Sequence, residues 1–66
     1  MVDEATYGWV RELMADALKS PLLTEAERAF CARMTEQAFN FGHGMALTAE
    51  QEQQLLRIEE KIYAHD

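Results

Sequence analysis

The chain has 66 residues, 48% of them apolar, and its twelve acids against six bases leave a formal net charge of −6. A chain of that length makes one domain with a marginal core, burying only about 60% of the surface its unfolded form exposes, and has no room for an active site walled on all sides. The charge argues against direct contact with DNA or RNA, which needs clustered Lys and Arg, because Arg11, Lys19, Arg28, Arg33, Arg57 and Lys61 are scattered.

The first helix is predicted from about Glu4 to Lys19, capped by Asp3 or Thr6. Val10, Leu13, Met14, Ala17 and Leu18 recur at the spacing of one apolar face. Trp9 lies one position off that stripe. Ser20-Pro21 ends the helix, since a residue before proline avoids the α region.

The second helix is predicted to start at a Thr24 cap and run to about Phe39–Phe41. Thr24 and Glu27 have the spacing of a capping box, in which the Thr oxygen accepts a first-turn N–H and the acid reaches back to the cap. Ala26, Phe30, Met34, Gln37, Ala38 and Phe41 form the inner stripe, flanked by Ala29 and Arg33. Cys31 also takes an inner position and serves as a small apolar residue. Phe39 points away from the stripe, as a second-face contact or an exposed aromatic. Gly42 and Gly44 are natural left-handed stops.

The third helix repeats the device with Thr48 and Gln51 and runs to about Ala64. Gln51, Leu55, Ile58 and Ile62 share one face, widened by Leu56 and Tyr63. Short loops require neighbouring helices to pack antiparallel or as a compact three-helix arrangement. The fold class is thus all-α, a compact bundle of three main helices with short loops, in a single domain over residues 1–66. Leu13, Phe30, Met34, Leu55, Ile58 and Ile62 are expected in one buried cluster. Met14 and Met34 suit the core, whereas Met45, in a loop, suits an interface.

Cys31 is the only cysteine, so an internal disulfide is impossible. The N-terminus lacks a basic region followed by an apolar run, and no stretch nears 18 apolar residues. The expectation is a cytosolic protein without membrane contact. His43 and His65 have no ligand at metal spacing, and no base stands placed to activate Cys31. No cofactor, metal or catalytic residue is therefore expected, and the chain reads as a binding protein and not an enzyme.

Half of the acids have a local role. Asp3, Glu4, Glu25, Glu27, Glu50 and Glu52 fall at helix starts, where they complement the positive end of the macrodipole. Glu12, Asp16, Glu36, Glu59, Glu60 and Asp66 remain as candidates for partner contact. Glu12 and Asp16 stand one turn apart, a like-charge spacing that weakens a helix by a few tenths of a kcal/mol. Their axial separation of about 6 Å approaches two phosphate steps of about 3.4 Å along one DNA strand. Arg11 and Lys19 offset this face in part, as Arg57 and Lys61 do the acids of the third helix. Tyr7, Trp9, Phe39 and Tyr63 are more aromatics than so small a core absorbs. They either cap the bundle ends or act as interface anchors, with Trp9 and Phe39 the leading partner-binding candidates.

The blocks Leu23-Thr24-Glu25-Ala26-Glu27-Arg28-Ala29-Phe30, Ala46-Leu47-Thr48-Ala49-Glu50-Gln51 and Leu55-Leu56-Arg57-Ile58-Glu59-Glu60-Lys61-Ile62-Tyr63 resemble short helical proteins of phages and mobile elements. Size, acidity and helical content are also similar to those of some anti-CRISPR proteins, small phage-encoded inhibitors of CRISPR effectors. That resemblance implies a partner in the host bacterial cytosol. The expected function is inhibition by occupying a basic surface of a host protein or nucleoprotein complex. The rival is a homodimeric regulator or antitoxin-like partner protein that works through its apolar and aromatic surface.

Overall fold

A computed structural model describes residues 2–63. Helix α1 spans Glu4–Ala17, α2 spans Glu25–Phe41, a single 3-10 turn occupies Gly42–Gly44, and α3 spans Ala49–Tyr63. No strand occurs among the described residues. The protein is a small all-α three-helix bundle. The end of the third helix anticipated at Ala64 lies outside the described residues.

Each helix starts where a side chain replaces the missing intrahelical acceptor. Asp3 Oδ1 accepts the Thr6 N–H at 2.7 Å. Thr24 Oγ1 accepts the Glu27 N–H at 3.1 Å, and Glu27 Oε1 accepts the Thr24 N–H at 2.8 Å. Thr48 and Gln51 make the same exchange at 3.1 and 3.0 Å. Thr24→Ala and Thr48→Ala should each destabilise the fold by about 1 kcal/mol. Denaturant midpoints test this, and unchanged values would show that the boxes carry no stability.

The helix ends differ from expectation. α1 stops at Ala17, not Lys19, and its last carbonyls are met within a tight turn: the Lys19 N–H bonds Asp16 O and the Ser20 N–H bonds Ala17 O. Arg28 of α2 closes that turn by donating to Ser20 O at 2.7 Å. Leu18, expected on the inner stripe, becomes the cap and is exposed. After α2, Gly42 takes φ 54° and donates its N–H to Ala38 O. Gly44 has no positive φ, so one glycine alone provides the stop.

The expected inner faces meet in one core, which Leu23 and Met45 extend. Leu13, Phe30, Met34, Leu55, Ile58 and Ile62 join Val10, Met14, Ala17, Leu23, Cys31, Ala38 and Met45 in one buried cluster. Met45 is fully buried and not at an interface. Its N–H bonds Gly42 O, and Gln37 Nε2 donates to Ala46 O at 2.8 Å, which folds this loop against α2 and turns Met45 inward. Ala26 and Phe41 of the expected stripe are exposed. They sit in the first and last turns of a 17-residue helix, where a position on the stripe no longer guarantees a neighbour that covers it. Leu56 and Tyr63 are also exposed. Among the described residues no polar or charged side chain is buried, so apolar burial holds the fold and the polar chemistry lies on its surface.

Contacts along the chain fix the helix directions. The Val2 N–H bonds His43 O, the Tyr7 and His43 rings meet edge to face at 4.5 Å, and Arg28 reaches Ser20. So α1 and α2 are antiparallel. Trp9 contacts Glu59 and Asp16 contacts Tyr63, so α1 and α3 run parallel. The backbone of α1 approaches both other helices closely, whereas α2 and α3 meet mainly through side chains.

Candidate partner-binding surface

The parallel course of α1 and α3 gathers acids that the sequence leaves on separate helices. The Tyr63 hydroxyl donates to Asp16 Oδ2. One turn earlier on α3, Glu59 accepts the Trp9 indole N–H at 2.8 Å. Glu12 lies one turn before Asp16 on the same side of α1. The resulting face carries Glu12 and Asp16 from α1 with Glu59 and Tyr63 from α3.

Its electrostatics follow from that arrangement. The Tyr63 phenol is pushed up to about 12, first by its hydrogen bond to Asp16, then by partial desolvation and by the charges of Asp16, Glu59 and Glu12. A phenolate would add a fourth negative charge here, so the neutral form is favoured. The C-terminal ends of α1 and α3 also point the same way, which adds two negative dipole ends. The last turn of α1 has no basic residue. In α3 that position is Lys61, but its ammonium is engaged elsewhere.

Lys61 reaches Glu27 Oε1 at 2.8 Å and not the acids of its own helix, the one ion pair among the described residues. Glu27 was already positioned by its capping bond, so the cap holds the carboxylate where Lys61 can find it. The ammonium, then the Thr24 N–H, keeps the Glu27 carboxyl below its ordinary value of 4.5. The associated stability is present above that value and is lost as pH falls through the lowered one. The expected compensation of Glu59 and Glu60 by Lys61 is therefore replaced by a tie between α3 and the start of α2.

A titration checks the acidic face. Because the Tyr63 value is raised, its contribution to stability is full below about 10 and is lost as pH rises towards about 12. Asp16→Asn should return Tyr63 towards the ordinary tyrosine range. Tyrosinate absorbance, with Tyr63→Phe as reference to subtract Tyr7, reads the shift. An unchanged titration would show that Asp16 does not govern the phenol.

The other candidates are dispersed. Glu60 is exposed next to Glu59 but turned about 100° from it around α3. Glu36 is exposed on α2 and does not join the acidic face. Asp66 lies outside the described residues. Trp9 is half-buried against the core, so its role in this face is to hold Glu59. Phe39 is 87% exposed, which settles it as a surface aromatic. It borders a groove of about 460 Å³ between α1 and α2, lined also by Tyr7, Arg11, Met14 and Leu18. Arg11 places its guanidinium 5.7 Å from the Tyr7 ring centre.

No protein-family model, no curated protein and no solved structure matches the chain.

Among the described residues no three acids, histidines or cysteines gather where they would hold a metal ion. No helix there is long and apolar enough to cross a membrane. The Cys31 thiol is pushed up by burial and then by the Glu27 charge, which keeps it protonated. Sequence reasoning missed Tyr63 as the centre of the acidic face. The available signal is its position four residues after Glu59, which puts both on the flank of α3 that looks towards α1.

Proposed function

We propose that this protein acts by binding, and that its acidic α1–α3 face occupies a basic, nucleic-acid-binding surface of a host protein or nucleoprotein complex. The supporting observation is the gathering of Glu12, Asp16 and Glu59 around Tyr63 with no ion pair to a Lys or Arg of the described residues. Like charges so placed repel one another in the free protein, and a basic partner relieves that repulsion. Trp9 and Tyr63 hold two of the carboxylates in fixed directions, which lowers the ordering cost of association. Nothing is transformed chemically: the effect is steric and electrostatic competition with phosphates for Lys and Arg. The likeness to anti-CRISPR proteins nominates CRISPR effectors, acting in the bacterial cytosol, as the first complexes to assay.

The test is capture from a bacterial lysate at low and high salt, with and without added duplex DNA or RNA. Partners held at low salt and released by nucleic acid support the reading. Partners held equally at about 50 and 200 mM salt, and indifferent to nucleic acid, would overturn it. A second reading has its own observation. Phe39 and Phe41 are 87% and 64% exposed, and Phe39 borders the α1–α2 groove, as an apolar docking surface of a homodimeric regulator would require. Sedimentation at high protein concentration separates the two, since only the second needs a dimer.

A further inference from the structure

The backbones of α2 and α3 stand apart, and the space between them is a groove of about 330 Å³. Its floor is Phe30 and Ile58, and Arg33 from α2 and Arg57 from α3 stand on its walls beside Gln54. In a chain with six bases and twelve acids, this groove collects two arginines. Both are exposed, and neither forms an ion pair among the described residues. The one carboxylate lining this part, Glu27, is already taken by Lys61. The groove continues past Arg33 and Gln54 to Thr48 and Glu50 at the start of α3, so it is elongated, basic in the middle and acidic at that end.

From this geometry we infer that the α2–α3 groove binds an extended acidic segment of a partner protein, with one carboxylate held between the Arg33 and Arg57 guanidiniums. Guanidinium forks match a planar carboxylate with paired, charge-assisted hydrogen bonds. The apolar floor suits the hydrocarbon stem of a glutamate, which inorganic phosphate lacks. The Gln54 amide offers both a donor and an acceptor to a peptide backbone. The site uses the flank of α3 that faces α2, away from Glu59 and Tyr63. It therefore stands or falls independently of the acidic face, and gives the protein two surfaces of opposite charge.

The test is a titration of the whole protein, followed by NMR of the arginine Nε–H groups, with three probes. These are an acetylated and amidated Leu-Glu-Glu-Leu peptide, its Leu-Gln-Gln-Leu analogue, and inorganic phosphate at matched ionic strength. The Glu peptide should shift the Arg33 and Arg57 signals, bind at least about tenfold more tightly than the Gln analogue, and weaken by at least about tenfold in R33Q/R57Q. Both arginines are exposed, so the variant should keep the wild-type thermal midpoint, and the Gln analogue compares affinities in the unaltered protein. No shift at millimolar Glu peptide, equal binding of the Gln analogue, or equal shifts with phosphate would overturn the inference.

Discussion

Phe30→Ala is expected to remove about 3–5 kcal/mol, a third or more of the fold's stability, whereas Phe39→Ala and Phe41→Ala leave it nearly unchanged. All three phenylalanines lie on α2, so helix propensity cannot separate them. Phe30 is 9% exposed within the core cluster, against 87% for Phe39 and 64% for Phe41. Removing a buried phenylalanine costs about 3–5 kcal/mol, lost transfer energy plus a cavity. A chain of this length has only about 3–10 kcal/mol in total, at 0.05–0.15 kcal/mol per residue. A surface phenylalanine without such contacts should change stability by about 0.5 kcal/mol or less. Denaturant unfolding of the three variants reads the contrast directly. Near-native stability of Phe30→Ala would refute the packing, and a large loss in Phe39→Ala would mean that its ring is covered in solution.

Reversing Glu12 and Asp16 to lysine should abolish capture of the partner at low salt while the helical content is retained. Both residues are exposed, and their i, i+4 repulsion costs the helix a few tenths of a kcal/mol that the substitution does not increase. Asp16→Lys also removes the acceptor of the Tyr63 hydroxyl, but that bond is exposed and its loss leaves no buried group unsatisfied. The face would change by four charges, from two carboxylates to two ammonium groups, which reverses electrostatic steering towards a basic surface. Binding lost with the fold intact assigns recognition to the acidic face. Binding that survives the reversal, and does not weaken with salt, assigns it to the apolar surface around Phe39.

The two outcomes bear on different parts of the sequence. Capping boxes at Thr24 and Thr48, the Asp3 cap and the 3.6-residue apolar stripes are short-range signals, each contained within a few turns. From them the number of helices, their starts and all of the core but Leu23 and Met45 are legible, because local hydrogen bonds and side-chain spacing decide those features. Cys31 as an inert core residue is legible for the same reason. Leu18, Ala26 and Phe41 are exposed despite their stripes because all three lie at helix ends, where a stripe no longer says whether a neighbour covers it.

The candidate surface is legible only in part. The unexplained acids could be set apart by subtraction, since helix starts account for the others. Their grouping could not, because Trp9 with Glu59 and Asp16 with Tyr63 are pairs separated by 50 and 47 residues. The capture of Lys61 by Glu27, the inward turn of Met45 and the sharing of one groove by Arg33 and Arg57 are of the same kind. The amino-acid sequence by itself determined a three-helix bundle with a marginal apolar core and a surplus of surface acids. Tertiary packing alone decided that α1 and α3 run side by side, which carboxylates share a face and which arginines share a groove. The physical reason is that periodicity sets which side of a helix is buried, while the rotation and register between helices come from the fit of the whole core.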